Sequence, residues 1–316
     1  MLGSGLSFSL FEAIKGSTMS LNRMHRRLFL AIAAAFLTLP VLAQHSNAIY
    51  EVKSQYQTIA VWDSTDGQRR QLLFDPNWNG TDSIQSEMNK SNPNELVLDY
   101  TKHMIASVPL VDKPKRILIV GLGGASLQRY LHNLLPDTVI ESAELDPVVL
   151  EIAREYFYFI QDDRQKVHIG DGREFMEKSQ EKYDIIMLDA FSATSIPYRL
   201  STQEFLQRVK ERLSKGGIVC ANLWSHQADY PDMLKTYATV FPELHVLPCR
   251  LPWSNHILIA MPAKQMLTVK KWKEKAVAFD KAHPTGLNLI EFVERHITPQ
   301  IQDDARVLLD KDAPND

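Results

Sequence analysis

The chain has 316 residues, 45% of them hydrophobic, which is enough for one large core or for a large domain with a smaller one beside it. Its 35 basic and 38 acidic side chains leave a net charge of −3 at pH 7. This balance argues against a nucleic-acid partner, because nucleic acids are bound by basic surfaces.

The N-terminal segment has the pattern of a secretory signal peptide. Within residues 24–48, an apolar stretch from Leu28 to Ala43 follows three arginines and ends in small residues, with cleavage expected after Ala43 or Ala48. This stretch has about 16 residues, whereas a stable membrane span needs roughly 20. We therefore assign residues 1–48 to the signal peptide and the residues before it, and we predict a periplasmic or secreted protein without a membrane span. A cytoplasmic protein and an inner-membrane anchor are the alternatives.

Residues 49–111 are predicted to form a smaller N-terminal β region with one helix. The segments YQTIAVWDS and RRQLLFD are typical of short strands, and Thr65-Asp66-Gly67 between them predicts a hairpin turn. A helix is predicted after Pro93, because apolar and aromatic side chains recur there at helical spacing. They are Leu96, Val97, Tyr100, His103 and Met104.

Residues 112–263 alternate between strand and helix patterns. Strands are predicted at 116–120, 138–143, 166–169, 183–188, 217–223, 243–248 and 255–261. Helices are predicted at 125–135, 147–157, 172–179, 202–213 and 229–240. The alternation is typical of an α/β fold with a doubly wound, seven-stranded, mostly parallel sheet. Residues 264–316 are predicted to be a helical extension, with helices at 270–282 and 287–297.

The cysteines and histidines predict neither a disulfide nor a metal site. Cys220 and Cys249 fall at strand-like positions with a third predicted strand between them, and this separation disfavours a disulfide. No group of cysteines and histidines has the spacing of a zinc site, so no metal cofactor is expected.

Four strand ends carry groups that suit a nucleoside. They are Gly121, Gly123 and Gly124 after the first strand of the 112–263 region, Glu144 at the end of the second, Asp171 and Gly172 after the third, and Asp189 after the fourth. Small residues let the backbone approach a ligand closely, and an acid at the second strand accepts hydrogen bonds from ribose hydroxyls. Because ligands of open α/β sheets lie beyond the carboxyl ends of the strands, we predict a nucleoside-containing cofactor there.

These motifs resemble the spermidine synthase (polyamine aminopropyltransferase) family, which has the Rossmann-like fold of class I methyltransferases. The resemblance covers about residues 50–262. It is carried by SQYQ at residues 54–57, GLGGASL after the first strand, AELDP around Glu144, HIGDGREF around Asp171, and YDIIMLDAF followed by SIP and STQEF around Asp189.

The resemblance implies an aminopropyl transfer from decarboxylated S-adenosylmethionine to a primary amine. An ammonium ion has no lone pair, so a carboxylate must first remove a proton, and Asp189 aligns with the acid that has this role. The other implied contacts are Gln57, Gly121, Gly123, Gly124, Glu144, Asp171 and Gly172 for the cofactor, and Gln85, Thr194 and Tyr198 for the substrate. The family commonly forms homodimers, so a homodimer is an expectation here.

Two positions depart from the family pattern. Gly124 stands where an aspartate usually holds the cofactor's amine and repels the carboxylate of intact S-adenosylmethionine. Thr194 stands where the bacterial branch usually has a second aspartate for a diamine. Both favour the alternative of an S-adenosylmethionine-dependent small-molecule methyltransferase. The signal peptide favours a third reading, an exported non-catalytic binding protein of the same fold, because sulfonium cofactors are made in the cytoplasm.

Overall fold

The computed structural model describes residues 48–76, 84–192, 195–250 and 255–314. The predicted signal peptide, apart from its last residue, and Thr194 lie outside these ranges. None of the helices within them is long and apolar enough to cross a membrane.

A four-stranded antiparallel sheet forms the N-terminal region. In spatial order its strands are β1 (Ala48–Lys53), β2 (Thr58–Asp63), β3 (Arg69–Phe74) and β4 (Ile84–Asn89). The predicted hairpin between β2 and β3 is confirmed, and Gly67 in its turn has a φ of +69°. The sequence patterns missed β1 and β4. β1 is largely exposed on both faces and therefore lacks alternation, and Ser86 takes an inward position of β4.

The second sheet has seven strands in the spatial order β10-β11-β9-β8-β5-β6-β7. In chain order they are β5 (Arg116–Val120), β6 (Val139–Glu144), β7 (Gln165–Ile169), β8 (Tyr183–Leu188), β9 (Leu213–Trp224), β10 (Glu243–Pro248) and β11 (Asn255–Met261). β11 runs in the opposite direction to the other six strands, so the predicted mostly parallel sheet is confirmed. The predicted start of β9 at residue 217 is wrong, because Leu213 already pairs with Tyr183 of β8.

Eight α-helices lie in the described part of the chain. They are α1 (Asp99–Ile105), α2 (Ser126–Leu134), α3 (Pro147–Tyr156), α4 (Gly172–Lys178), α5 (Gln203–Glu211), α6 (Tyr230–Val240), α7 (Val269–Ala282) and α8 (Leu289–Glu294). The helix predicted after Pro93 begins only at Asp99. The last predicted helix ends at Glu294 instead of 297, because Ile297 forms a β-bridge with Val246.

Helices cover both faces of the seven-stranded sheet. On β5, Ile117 and Ile119 pack in a cluster with α1, α2, α7 and α8, while Leu118 and Val120 pack on the other face with α4, α5 and α6. Burial on both faces explains why this strand is a continuous apolar run in the sequence. A third cluster joins the N-terminal sheet to α3. Both cysteines are free, and β11 lies between their strands as expected.

Three side chains, which we name the C-terminal clasp, tie the helical extension to the edge of the sheet. They are Glu243, His245 and His296. Nε2 of His245 lies 2.9 Å from a Glu243 carboxylate oxygen, and its Nδ1 lies 2.8 Å from Nε2 of His296. Because a carboxylate only accepts, His245 donates a hydrogen bond from Nε2 to Glu243. Its Nδ1 then accepts a hydrogen bond from the Nε2–H of His296. Burial and the neighbouring His245 lower the pKa of His296 to about 4.

We expect the protein to lose stability as the pH falls from about 6.5 towards 4. The pKa of His296 lies below its ordinary value of 6.5 in the folded protein, so the unfolded chain takes up the proton first. The stability that the neutral ring contributes is complete above pH 6.5 and is lost as the pH falls through about 4. A His296→Gln variant keeps a donor towards His245 but does not titrate. Its urea midpoint should therefore vary less over this range, and an identical pH dependence in both proteins would contradict the role of the clasp.

Candidate active site

A cavity of about 570 Å³ lies at the carboxyl ends of β5, β6 and β8, with the N-terminal sheet along one side. It is lined by Tyr56, Gln57, Phe74, Gln85 and Ser86 from the N-terminal region, by Tyr100 of α1, and by Val120–Gly123, Ala143–Asp146, Asp171, Gly172, Asp189–Ser192, Pro197, Arg199 and Leu200 around the second sheet. Of the predicted site residues that the structure describes, all but Gly124 and Tyr198 therefore line one cavity.

The turn after β5 brings the ends of two strands into contact at Gly121. This residue has a φ of +107°, and a Cβ added to it would lie 2.3 Å from the carbonyl oxygen of Asp189. The amide of Asp189 in turn donates to the carbonyl of Val120. Only glycine satisfies both the backbone conformation and the close approach. The first glycine of the motif therefore determines where the carboxylate-bearing residue of β8 lies.

The next two glycines of the turn pack against Ser86 of the N-terminal sheet. The amide of Gly124 donates to Oγ of Ser86 at 2.8 Å, and a Cβ on Gly124 would lie 2.9 Å from both Ser86 and the ring of Phe157. Gly124 does not line the cavity, so its predicted contact with the cofactor is not supported by its position. It lets the N-terminal sheet approach the turn closely. Ser86 was missed in the sequence because its role depends on this tertiary contact.

Glu144 at the end of β6 binds the backbone of the turn after β5 and lines the cavity. Its two carboxylate oxygens accept hydrogen bonds from the amides of Leu122 and Asp146, each at 2.9 Å. Burial raises the pKa of Glu144 to about 7, although these amides act in the opposite direction. Each oxygen has a second lone pair, so the carboxylate can still accept from the hydroxyls of a ribose.

Asp171 and Gly172 form the start of α4 at the same edge of the sheet. The Asp171 carboxylate caps the helix by accepting from the amides of Arg173 and Glu174. Its other oxygen lies 3.1 Å from a guanidinium nitrogen of Arg199, which belongs to the cavity wall. A Cβ on Gly172 would lie 2.6 Å from Val120, so the glycine lets α4 approach β5.

Asp189 presents a carboxylate to the cavity from the end of β8. Asn222 of β9 donates to its Oδ1 at 2.9 Å, and the hydroxyl of Tyr100 donates to its Oδ2 at 3.4 Å. Asn255 of β11 donates in turn to the side-chain oxygen of Asn222 at 2.8 Å. Burial raises the pKa of Asp189 to about 7, and the two hydrogen bonds limit this rise. The group is thus poised to take up and release a proton near neutral pH.

The partners of Asp189 were missed in the sequence. Asn222 carried a usable signal, because it is an amide near the carboxyl end of an otherwise apolar strand. In the sequence, Tyr100 is one of the apolar and aromatic residues at helical spacing, and only the fold turns its hydroxyl towards Asp189. The hydrogen bonds from these two side chains limit the rise in the pKa of Asp189 that burial causes, so they belong to the site.

The substrate end of the site differs in part from the prediction. Gln85, which is predicted to contact the substrate, lines the cavity, and so does Gln57, which is predicted to contact the cofactor. Tyr198 does not line it, because its hydroxyl donates to the carbonyl of Leu309 in the C-terminal segment at 3.1 Å. The position of Tyr198 therefore does not support its predicted substrate contact, which stays a prediction. Its neighbour Arg199 contributes to the wall instead, and Thr194 lies outside the described residues.

Comparison with known proteins places this geometry in a family. The model of the spermine/spermidine synthase domain matches residues 98–273. A polyamine aminopropyltransferase of Vibrio vulnificus is 35% identical over 225 residues, which cover 70% of this chain and 74% of the relative. The eEF1A lysine and N-terminal methyltransferase of Bos taurus is 36% identical over 170 residues, which cover 48% of this chain and 24% of that protein.

Solved structures share the fold. A probable spermidine synthase from Corynebacterium glutamicum has the same fold, with a TM-score of 0.64 at 18% identity over 83% of this chain and 96% of that chain. Human methyltransferase-like protein 13 in complex with SAH has a TM-score of 0.55 at 30% identity over 67% of this chain and 98% of that chain. The family model spans more than half of the sequence, and about three quarters of the Vibrio relative is covered. The chain therefore belongs to the spermine/spermidine synthase family.

Proposed function

We propose that the protein transfers an aminopropyl group from decarboxylated S-adenosylmethionine to a primary amine, as an enzyme of polyamine biosynthesis. The observation that carries the proposal is the Asp189 carboxylate, which faces the cavity with a pKa near 7 beside the glycine turn and Glu144. The family and the relatives named polyamine aminopropyltransferases support the same reaction.

Asp189 acts as the general base in this proposal. Its carboxylate removes one proton from the substrate ammonium. The freed nitrogen lone pair then attacks the methylene carbon that joins the aminopropyl arm to the sulfonium. The carbon–sulfur bond breaks as the carbon–nitrogen bond forms, and its electron pair neutralises the sulfur, so methylthioadenosine leaves. Asp189 then releases its proton to water. The sulfonium needs little activation, so holding both reactants in line supplies much of the rate.

The remaining polar groups of the cavity position the two reactants. Glu144 accepts from the ribose hydroxyls, while Asp171 and the turn at Gly121 hold the nucleoside end. Gln57 and Gln85 come from the N-terminal sheet and reach the cavity from the opposite side. The acceptor amine therefore enters between the two sheets in this proposal. No metal takes part in these steps.

Calorimetric titration tests the proposal most directly. We expect the protein to bind decarboxylated S-adenosylmethionine and methylthioadenosine, and to bind intact S-adenosylmethionine more weakly. A product assay with a panel of primary amines then identifies the acceptor. Failure to bind any of the three nucleosides would overturn every enzymatic assignment. Binding without turnover of any amine would favour an exported non-catalytic binding protein.

Methyl transfer from S-adenosylmethionine is the second candidate function. Glycine at position 124 leaves the turn without a carboxylate that would repel intact S-adenosylmethionine. The likeness to an eEF1A lysine and N-terminal methyltransferase also favours it. Tighter binding of the intact cofactor in the same titration, with a product heavier by a methyl group, would replace aminopropyl transfer by this reaction.

The pH profile of the reaction should depend on Asn222. We expect kcat/KM to fall as the pH drops below about 7, because the base must be ionised. The hydrogen bond from Asn222 stabilises the ionised form of Asp189, so an Asn222→Ala variant should have a higher pKa at Asp189. The rise of kcat/KM with pH should therefore occur at higher pH in this variant. Tyr100→Phe should shift this rise in the same direction. Profiles that coincide with that of the parent protein would show that another group is titrating.

We further propose that the protein is exported and acts in the periplasm or outside the cell. The support is the apolar stretch from Leu28 to Ala43 after three arginines. An alkaline phosphatase fusion after residue 60 should be active, and an inactive fusion would indicate a cytoplasmic protein. A homodimer is also proposed, on the resemblance to the family alone, and sedimentation velocity measures it.

A further inference from the structure

The side chain of Arg173 in α4 joins three parts of the chain beside the cavity. Its guanidinium donates to the carbonyl oxygen of Arg199 at 3.1 Å, and two of its nitrogens pair with the carboxylate of Asp310 in the C-terminal segment. Only 13% of the Arg173 side chain is exposed. A largely buried guanidinium needs a counterion and acceptors for its donors, so these contacts fix where Arg173 lies.

A second contact ties Arg199 to the same end of α4. Its guanidinium lies 3.1 Å from the carboxylate of Asp171, and both residues line the cavity. Arg199 is thus held twice, by Asp171 at its side chain and by Arg173 at its backbone carbonyl. These two contacts join the cavity wall at the short 3₁₀ helix Tyr198–Leu200 to the wall at the start of α4.

The segment that carries Asp310 is anchored to the fold at other points. Leu308 is buried in a cluster with α5 and α6. Arg306 forms an ion pair with Asp232 of α6 at 2.8 Å. The place of this segment therefore does not depend on the contact between Asp310 and the guanidinium. Asp310 can act as a fixed support for that guanidinium.

We infer that Arg173 and Asp310 are positioning residues for the nucleoside end of the cavity. They hold the backbone of Arg199, and with it one cavity wall, against Asp171. The inference rests on the proposed function, in which Asp171 holds the nucleoside. Neither Arg173 nor Asp310 lines the cavity, so neither touches the reactants. Loss of their ion pair should weaken nucleoside binding and leave the proton transfer at Asp189 unchanged, because Asp189 has other partners.

Calorimetry and kinetics on an Asp310→Ala variant test this role. The variant should bind methylthioadenosine about 10-fold more weakly and raise KM for decarboxylated S-adenosylmethionine by a similar factor, with kcat unchanged. Asp310→Glu keeps a carboxylate and should restore most of the affinity. Arg306→Ala is the matched control, because it breaks an ion pair of the same segment away from the cavity wall. Equal affinities in Asp310→Ala and Arg306→Ala would overturn the inference.

Hydrogen exchange on the unliganded protein separates this inference from the proposed function. The amides of Leu200 and Ser201 donate to carbonyls three residues earlier, at the wall that Arg173 holds. They should exchange about 10-fold faster in Asp310→Ala than in the parent protein, and at the parent rate in Arg306→Ala. Unchanged exchange in Asp310→Ala would overturn the inference. If the parent protein binds no nucleoside, the proposed function fails, and the exchange rates alone decide whether the ion pair positions the wall.

Discussion

An Asp189→Asn variant is expected to turn over about 10²–10⁴-fold more slowly than the parent protein while binding the nucleoside cofactor with unchanged affinity. The amide cannot take a proton from the substrate ammonium at neutral pH. It still accepts from Asn222 through Oδ1, so the arrangement of the site is retained. Steady-state kinetics and calorimetry on the same preparation measure the two quantities. A fully active variant would exclude Asp189 as the base.

Asp184 provides the control at the opposite end of the same strand. Its carboxylate accepts from the amides of Lys115 and Arg116, far from the cavity. Asp184→Asn should therefore cost about 1–3 kcal/mol of the free energy of unfolding and leave kcat unchanged. Asp189→Asn should show the reverse pattern, because removing a carboxylate whose pKa burial has raised does not destabilise the fold at neutral pH.

The substitution Gly121→Ala is expected to be more damaging than the addition of one methyl group at any other position of the site. The φ of +107° strains any other residue by about 1–3 kcal/mol, and the new Cβ would overlap the backbone of Asp189 at 2.3 Å. Because the obstacle is backbone and not a flexible side chain, either β8 must move or the turn must open. We expect a loss of about 4 kcal/mol or more in the free energy of unfolding and no measurable turnover in the fraction that folds.

A substitution at Gly216 separates the cost of backbone strain from the cost of steric overlap. Its φ of +82° is also positive, but a Cβ added there meets nothing within 4 Å. Gly216→Ala should therefore cost about 1–2 kcal/mol from backbone strain alone, with activity retained. Urea unfolding of both variants measures the difference. Equal losses of unfolding free energy in the two variants would show that the close contact between the turn and Asp189 does not contribute to the cost of Gly121→Ala.

The second sheet was predictable from the sequence, and the first only in part. Strands buried on both faces, such as β5 and β8, appear as apolar runs between helices with recognisable caps, and Asp146 caps α3. β1 has no such signal, because its residues are largely exposed. The predicted strand begins too late, because Gly216 and Gly217 precede its apolar run, whereas pairing with β8 extends β9 back past both glycines to Leu213.

The residues of the site were likewise predictable only in part. Residues that mark strand ends, such as Glu144 and Asp189, were predictable because topology alone brings parallel strand ends to one edge. Contacts made by side chains across the fold were not predictable, and these include Ser86 on the glycine turn and Tyr100 on the general base.

The position of the N-terminal sheet has a consequence for how such an enzyme changes its substrate. In the proposed reaction, the base Asp189 and the ribose acceptor Glu144 come from strand ends of the second sheet, whereas Phe74 and Gln85 come from the first sheet and Gln57 directly precedes β2. The two sets are encoded in separate stretches of chain, and the sheets meet at Ser86. Replacing the N-terminal stretch while keeping Ser86 should therefore redirect the enzyme to a different amine without rebuilding its chemistry. Recognition and reactivity can diverge independently in such an architecture.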